Sequence, residues 1–161
     1  MIDSALISPA LAPIAKHWQT IRSELNALRS PQFIPWPETF LYDNSWTVFG
    51  LVHNAKAMPL GIALCPKTYA LLKDIPNLFT AGFSKLSPNT TIFPHRGNNI
   101  PPKYRCHLGL IVPQHCCFTI AKQDYSWIEG EWLCFDDAEE HSATNQSSSE
   151  RIVLLIDILK P

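Results

Sequence analysis

From residue 81 onward the sequence is a succession of short β-prone segments separated by turn residues, with little helical periodicity between them. Apolar runs and alternations predict five strands: Thr90 to Phe93, Tyr104 to Val112, Cys117 to Ala121, Glu131 to Phe135 and Arg151 to Ile158. Closely spaced strands of this kind are typical of an antiparallel sandwich or jelly roll. The polar, Ser- and Asn-rich stretch 136–150 is predicted to be a loop.

The first eighty residues carry helical signals instead. Apolar residues recur at steps of three and four over 14–28, which predicts an amphipathic helix that Ser30-Pro31 ends. Pro66 is suited to the first position of a second helix, whose apolar residues follow at 71, 72 and 75. Alternation over 46–51 predicts a strand between them. Since no long linker interrupts the 161 residues, we expect one domain over 1–161, with helical, pre-barrel support in 1–80 and a barrel core in 81–161.

Composition and charge argue against several partners. The chain is 46% hydrophobic and 17% charged with a formal net charge of -1, which offers no basic face for nucleic acid. The longest apolar run, 152–159, is too short to span a bilayer and contains Asp157. The opening residues 1–13 lack the basic start and unbroken apolar centre of a secretory signal. We therefore expect a cytoplasmic protein that binds neither nucleic acid nor membrane.

Five cysteines, an odd number, contain no CxxC pair, and they lie at positions 65, 106, 116, 117 and 134. Cys116 and Cys117 are adjacent, so in a strand they point to opposite faces. This pattern favours buried free thiols in a reducing compartment over a zinc ribbon or a disulfide framework. No basic cluster lies near a cysteine to activate it as a nucleophile.

Two histidines lie at predicted strand ends. His95 is in Phe-Pro-His-Arg-Gly and His141 follows an acidic stretch. Each alone is more often a surface or core residue than a ligand, but a jelly roll can bring two distant strand ends to one transition metal. The usual non-haem iron site adds a carboxylate two residues after the first histidine, and Gly97 stands there. Taken alone, that absence counts against an iron oxygenase.

The arginines suggest an anion site. Arg105 and His107 project from one face of the same predicted strand. Arg151 shares its strand face with Val153 and Leu155, and a guanidinium in such surroundings usually meets a carboxylate or a phosphate. A structural ion pair with one of three nearby acidic residues, Asp136, Asp137 or Glu150, explains the pattern equally well.

Several motifs in a fixed order resemble the aspartyl/asparaginyl β-hydroxylases, from about residue 14 to the C-terminus. They are Trp18-Gln-Thr-Ile-Arg, Cys65-Pro-Lys-Thr, Ala81-Gly-Phe-Ser84, Pro94-His-Arg-Gly97, Arg105-Cys-His-Leu-Gly-Leu, Gly130-Glu, Phe135-Asp-Asp, His141 and Arg151. The resemblance implies a mainly β protein, a double-stranded β-helix (a cupin-like jelly-roll barrel) with N-terminal helices packed outside.

The resemblance also implies a site. In this family two histidines alone hold the metal and glycine replaces the carboxylate, which makes His95 and His141 the iron ligands and catalytic pair. Arg151, ten residues after His141, matches the arginine that binds the co-substrate 2-oxoglutarate, with the Ser84 hydroxyl as second donor. Arg105 and His107 match residues that contact the same co-substrate.

The implied activity is that of an iron(II)- and 2-oxoglutarate-dependent dioxygenase. It would use dioxygen to hydroxylate an unactivated C–H bond of an aspartyl/asparaginyl-type peptide or a small-molecule acceptor. An inactive cupin-like binding module, or a non-redox metal protein of the same fold, is the alternative. The segment 98–104 is longer than the family pattern, and Trp46, Trp127 and Trp132 fit either core or acceptor cleft. The sequence leaves the acceptor and the oligomeric state open.

Overall fold

The computed structural model describes residues 1–161, and two antiparallel β-sheets form most of it. The strands are β1 Ile34–Pro35, β2 Trp46–His53, β3 Lys56–Ala57, β4 Leu78–Leu86, β5 Thr90–His95, β6 Lys103–Ile111, β7 Cys116–Ile120, β8 Gln123–Tyr125, β9 Trp132–Asp136, β10 His141–Asn145 and β11 Arg151–Leu159. A seven-stranded sheet has the order β1-β2-β4-β11-β6-β9, with β3 paired to β2, and a four-stranded sheet has the order β5-β10-β7-β8. Neighbours far apart in sequence, such as β4 and β11, give the predicted jelly-roll arrangement.

All five predicted strands are confirmed with small changes at their ends, but the loop predicted over 136–150 is wrong in its middle. Residues 141–145 form β10, which pairs with both β5 and β7. This strand alternates His141, Ala143 and Asn145, which are buried, with half-buried Ser142 and Thr144. Its interior side is polar and small because it faces a cavity, so it lacks the apolar alternation that marks an ordinary strand.

Five short helices pack on the outside: α1 Ser4–Ile7, α2 Leu11–Ala15, α3 Trp18–Ala27, α4 Pro59–Leu64 and α5 Pro66–Leu72. The single helix predicted over 14–28 is therefore divided, because the backbone of His17 leaves helical geometry at φ -104 and ψ 16. Its predicted apolar face is nevertheless the buried one, through Ile14, Ile21 and Leu25. The helix predicted to begin at Pro66 is confirmed.

The helix α5 is joined to α3 by a carboxylate. Glu24 accepts hydrogen bonds from the backbone amides of Lys67 and Thr68 and from the Thr68 hydroxyl. These amides belong to the first turn of the helix, where backbone N–H groups have no hydrogen-bond partner within the helix itself. The contact fixes the two helices against the seven-stranded sheet.

The strand β11 separates two hydrophobic cores, because it is buried on both faces. Its even-numbered residues, Ile152 to Ile158, face the helices and belong to the larger core. Val153 and Leu155 face the space between the two sheets and belong to a smaller core with Phe118 and Phe135. Every functional candidate lies in this inner compartment or at its edge.

The cysteines correct one expectation. Cys106 and Cys134 lie opposite each other on β6 and β9 and form a disulfide, so the prediction of free thiols is wrong for this pair. Sequence spacing gave no sign of it, since the pairing depends on the register of two strands. Cys65 is free and buried, whereas Cys116 and Cys117 are free and half-buried. No helix in the structure combines the length and the hydropathy needed to cross a lipid bilayer.

Candidate metal and anion site

All six residues singled out from the sequence line one cavity between the two sheets. The cavity is partly open to solvent, and together with that opening it has about 350 Å³ of space not filled by protein atoms. Its polar lining includes Ser84, His95, Arg105, His107, His141 and Arg151. The first four of these come from β4, β5 and β6, and the last two begin β10 and β11. The topology thus assembles residues that are up to 67 positions apart, from 84 to 151, in one compartment.

A β-bulge turns His95 toward the cavity. On β5 the segment from Ile92 to His95 is one residue longer than the β10 segment from His141 to Ala143 that it pairs with. In a regular strand Ile92 and His95 would point to opposite faces, because their separation is odd. The extra residue restores the inward direction, so that the rings of His95 and His141 lie with centroids 4.3 Å apart.

Backbone carbonyls fix the tautomer of both rings. His95 Nδ1 lies 2.7 Å from the carbonyl of Phe93, and His141 Nδ1 lies 2.7 Å from that of Glu139. A carbonyl can only accept, so each Nδ1 carries the proton and each Nε2 has a free lone pair. Burial lowers the pKa of His141 to about 4, although its bond to Glu139 opposes the shift. Ring nitrogens held in this way are those that bind transition metals.

A buried carboxylate lies beside the histidines. Asp137 is 1% exposed, and its Oδ1 is 3.9 Å from His141 Nε2. Lys103 Nζ and Arg105 Nη1 approach its oxygens at 3.1 and 3.5 Å, yet neither oxygen receives a well-oriented hydrogen bond. A Cβ atom at Gly97 would overlap this carboxylate. The sequence had presented Asp137 as a possible partner of Arg151 and as part of the Phe135-Asp-Asp motif, but not as a neighbour of the metal ligands. Its position four residues before His141 was the available signal.

The donor set suits a metal held mainly by nitrogen. No group of three or more metal-ligating side chains comes together anywhere in the structure. Two histidines with free Nε2 atoms and one unsatisfied carboxylate nearby leave several coordination positions for other ligands. The residues therefore fit the two-histidine iron site that the resemblance implies, in which small molecules complete the coordination.

Arg105 has a partner that its sequence pattern did not indicate. Its Nε and Nη2 atoms donate to the two carboxylate oxygens of Asp157 at 2.8 and 2.9 Å, with both side chains buried. Burial alone would lower the pKa of Arg105, but Asp157, and then Asp137 and Glu38, raise it above its ordinary value. Much of its hydrogen-bonding capacity is thus used within the protein. Its contact with a co-substrate stays a prediction.

Arg151 is the opposite case. It is 2% exposed, and its Nε and Nη1 atoms have no hydrogen-bond partner. The structural ion pairs considered from the sequence are absent: Glu150 pairs with Lys85 instead, at 3.6 Å. The guanidinium lies 4.5 Å from the ring centroid of Trp127, and burial lowers its pKa to about 10. A buried cation without an anion indicates a place for an anionic ligand.

Two tryptophans also contribute to the lining. Trp46 Nε1 donates to Ser84 Oγ at 2.9 Å, and Trp127 Nε1 donates to His107 Nδ1 at 3.2 Å. Burial, and then the charges of Arg151 and Arg105, lower the pKa of His107 well below its ordinary value. Trp132 lies outside the cavity and donates to the carbonyl of Leu11. Trp46 and Trp127 therefore line the cavity, whereas Trp132 packs outside it.

Cys116, a free thiol close enough to Arg151 for each to influence the pKa of the other, is not a competing nucleophile. Burial raises the pKa of Cys116 above its ordinary value, although Arg151 acts in the opposite direction. Arg96, which follows a predicted metal ligand, is exposed and donates to the carbonyl of Ala138, as expected for a solvated side chain.

Comparison with known proteins identifies the family of the chain and supports its fold. A family model described as "Aspartyl/Asparaginyl beta-hydroxylase" matches residues 15–161. The chain is 36% identical to the "Ornithine lipid ester-linked acyl 2-hydroxylase" of Rhizobium tropici, over 95% of this chain and 58% of that protein. It is 31% identical to the "Aspartate beta-hydroxylase domain-containing protein 2" of Xenopus tropicalis, over 99% of this chain and 45% of that protein. The chain therefore spans about half the length of the curated relatives it matches.

Among solved structures, a cupin-2 domain from Rhodospirillum rubrum has a TM-score of 0.53 at 8% identity, covering 83% of this chain and 74% of that one. At such low identity the likeness concerns the fold alone, and it agrees with the cupin-like double-stranded β-helix predicted from the sequence.

Proposed function

Since the chain belongs to the aspartyl/asparaginyl β-hydroxylase family, we propose that it is an iron(II)- and 2-oxoglutarate-dependent dioxygenase that hydroxylates an unactivated C–H bond. One observation carries the proposal. Two histidines with free Nε2 atoms share a buried cavity with an arginine that has no anionic partner. A metal that requires an acidic co-substrate needs both features together.

The metal ligands of this proposal are the Nε2 atoms of His95 and His141. When bound there, iron(II) together with 2-oxoglutarate and dioxygen supplies the oxidising power for hydroxylation, and the co-substrate leaves as succinate and carbon dioxide. The chain's own part is to hold both rings by their Nδ1 atoms, which orients the Nε2 lone pairs toward the cavity. Asp137 adds negative charge beside the metal without being close enough to His141 to bond it strongly.

The inner end of the cavity binds the acid in this proposal. Arg151 neutralises the carboxylate remote from the metal, and Ser84 and His107 add hydrogen bonds to the same ligand. A planar guanidinium binds a carboxylate in a two-pronged geometry that excludes most neutral ligands. Phe118, Phe135 and Leu155 line the same space and keep it poor in water, which strengthens these interactions.

The acceptor is proposed as an aspartyl/asparaginyl-type peptide or a small molecule. The names of the relatives point to two chemistries, an ester-linked acyl group in the Rhizobium protein and aspartate in the Xenopus one. A screen of both classes, with succinate formation above the uncoupled rate as the readout, distinguishes them. Only an acceptor that is itself recovered in hydroxylated form counts.

An inactive binding module of the same fold is the competing proposal. Loss of turnover removes the need for metal ligands and for an anion site, so drift at either is expected in an inactive copy. Here His95, His141, Ser84, His107 and Arg151 all line the cavity. This completeness favours the enzyme.

Anaerobic absorbance spectroscopy tests the proposal. Wild-type protein with iron(II) and 2-oxoglutarate should develop a weak visible charge-transfer band that neither ligand produces alone. His141→Ala should lose the band, whereas the exposed His53→Ala should keep it. No band, together with no heat of 2-oxoglutarate binding by calorimetry, would favour the binding module.

A further inference from the structure

Two polar groups on the cavity wall each accept a hydrogen bond from a buried indole. Trp127 Nε1 donates to His107 Nδ1 at 3.2 Å, and Trp46 Nε1 donates to Ser84 Oγ at 2.9 Å. All four side chains are buried and line the same cavity. An indole N–H can only donate. Each contact therefore uses an acceptor site of its partner and determines which hydrogen bonds that partner can still make to a ligand.

For His107 the contact decides the tautomer. A neutral imidazole has one nitrogen that donates and one that accepts. With Nδ1 accepting from Trp127, the proton resides on Nε2, which has no hydrogen-bond partner in the structure. His107 therefore presents an unused N–H donor inside the cavity.

For Ser84 the contact occupies an acceptor site of the oxygen. The hydroxyl makes no other hydrogen bond within the protein, so its hydrogen is free to point at a ligand. Beside these two groups, Arg151 has two unsatisfied N–H donors, and its guanidinium lies against the ring of Trp127. Three neighbouring side chains thus have spare donors.

We propose that Trp46 and Trp127 are positioning residues that commit Ser84 and His107 to donating, so that the wall around Arg151 recognises an anion. The identity of that anion as 2-oxoglutarate rests on the proposed function. The role of the tryptophans does not, because it follows from hydrogen bonds that exist without a ligand. Neither indole needs to touch the reacting atoms.

The backbone holds Trp127 in place through two glycines. Gly109 on β6 forms a bridge with Glu129. A Cβ at Gly109 would lie only 2.3 Å from the carbonyl oxygen of Ile128, which is too close for any real contact. Gly130 has a φ of +80, which favours glycine, and packs closely against Trp18. Residues 127–130 can therefore approach β6 closely enough for the indole to reach both His107 and Arg151.

The tautomer of His107 gives the first test, by nitrogen-15 NMR of the full chain without added metal. Wild type should show protonated Nε2 and unprotonated Nδ1 at His107. Replacing Trp127 by 3-benzothienylalanine, which has the shape of tryptophan but no N–H, should give a mixture of tautomers. Trp127→Phe provides a second variant if the isostere is poorly incorporated. Trp132→Phe also loses a buried indole hydrogen bond, but outside the cavity, so it should leave His107 unchanged.

Ligand affinity gives the second test. Loss of either indole donor should weaken 2-oxoglutarate binding about tenfold, the usual effect of disturbing one hydrogen bond to a charged group. It should raise the KM for 2-oxoglutarate more than it lowers kcat. Trp46→Phe should have little further effect in a Ser84→Ala background, because the indole acts through that hydroxyl.

The two proposals fail in different ways. If His107 carries its proton on Nδ1 in wild type, or keeps the wild-type tautomer without the indole N–H, the positioning role is wrong whatever the ligand. If the tautomers behave as expected but 2-oxoglutarate does not bind, the positioning role stands and the proposed co-substrate is wrong.

Discussion

The carboxylate of Asp137 fills the space into which a side chain at Gly97 would project, and the Gly97 amide donates to the Asp137 carbonyl at 2.8 Å. The two residues come from different segments, Gly97 just after β5 and Asp137 directly after β9. The acidic group missing from position 97 in the sequence therefore has a counterpart in space, at a distance of 3.9 Å from His141 Nε2. Glycine is required at 97 because nothing larger fits.

Gly97→Ala should weaken metal binding. The added methyl group must displace the Asp137 carboxylate, and removing a group next to the ligands typically costs 10- to 100-fold in metal affinity. Calorimetric titration with cobalt(II) as an oxygen-stable substitute measures the effect. Gly50→Ala is the matched control, because a Cβ there meets only the flexible side chain of Met58. Wild-type affinity in Gly97→Ala would show that Asp137 does not influence the metal.

Arg151→Met should stabilise the ligand-free protein. Burial lowers the pKa of the guanidinium to about 10, below its value in the unfolded chain. Its charge therefore costs folding free energy at every pH below about 10. Removing the unpaired charge while keeping an apolar stem should raise the free energy of unfolding by about 1–3 kcal/mol. Urea unfolding measures this, and the exposed Arg96→Met should change it little.

The same variant should lose stabilisation by the co-substrate. A ligand that binds only the folded state raises stability by mass action, by about 2.7 kcal/mol at a hundred times its dissociation constant. Wild type with 2-oxoglutarate should show that increase, and Arg151→Met should show none. An Arg151→Met protein less stable than wild type would mean that packing against Trp127 outweighs the cost of the buried charge.

Affinity for 2-oxoglutarate should be independent of pH up to about 9 and fall above about 10, the pKa of Arg151. The dianion binds the protonated guanidinium, so each pH unit beyond that pKa should reduce affinity about tenfold. His107 adds no step near neutrality, since its lowered pKa keeps it neutral there. Calorimetry across this range provides the measurement. A marked decrease between about pH 7 and 8 would require another titrating group.

Asp157→Leu should destabilise the fold strongly. It leaves the buried guanidinium of Arg105 without its two-pronged partner, a loss that typically costs about 3–5 kcal/mol. The double variant Arg105→Met with Asp157→Leu should recover most of it, because no buried charge then remains unpaired. Arg22→Met removes an ion pair whose partners are each 38% exposed and should cost at most about 1 kcal/mol. If Arg105→Met alone leaves 2-oxoglutarate affinity unchanged, the arginine is structural.

Strong apolar patterns made much of the barrel predictable from the sequence. The strand β11 contains the longest apolar run, interrupted only by Asp157, and β6 carries Arg105 and His107 on one face, as the structure has them. What the sequence could not provide is the identity of partners across strands. The Cys106–Cys134 disulfide, the Arg105–Asp157 pair and the free guanidinium of Arg151 all depend on register, which a single sequence specifies only through the completed sheet.

The strand β10 escaped prediction for a different reason. Secondary structure is recognised in a sequence by apolar side chains that need burial, but this strand is buried around a space intended for polar ligands. The same reason hid the tryptophan contacts, since an indole in a core and an indole behind a cavity wall have the same sequence pattern.

The extra residue in β5 makes the metal site depend on the parity of the chain. Deleting one residue from the Ile92–His95 segment would remove the bulge and give an even separation, which keeps the histidine inward in a regular pairing with β10. Deleting two residues would give an odd separation without a bulge and turn the histidine outward. Evolution or design can therefore remove the bulge residue from this edge of the barrel and retain a working ligand. The loss of a second residue gives a strand with only one histidine facing the cavity.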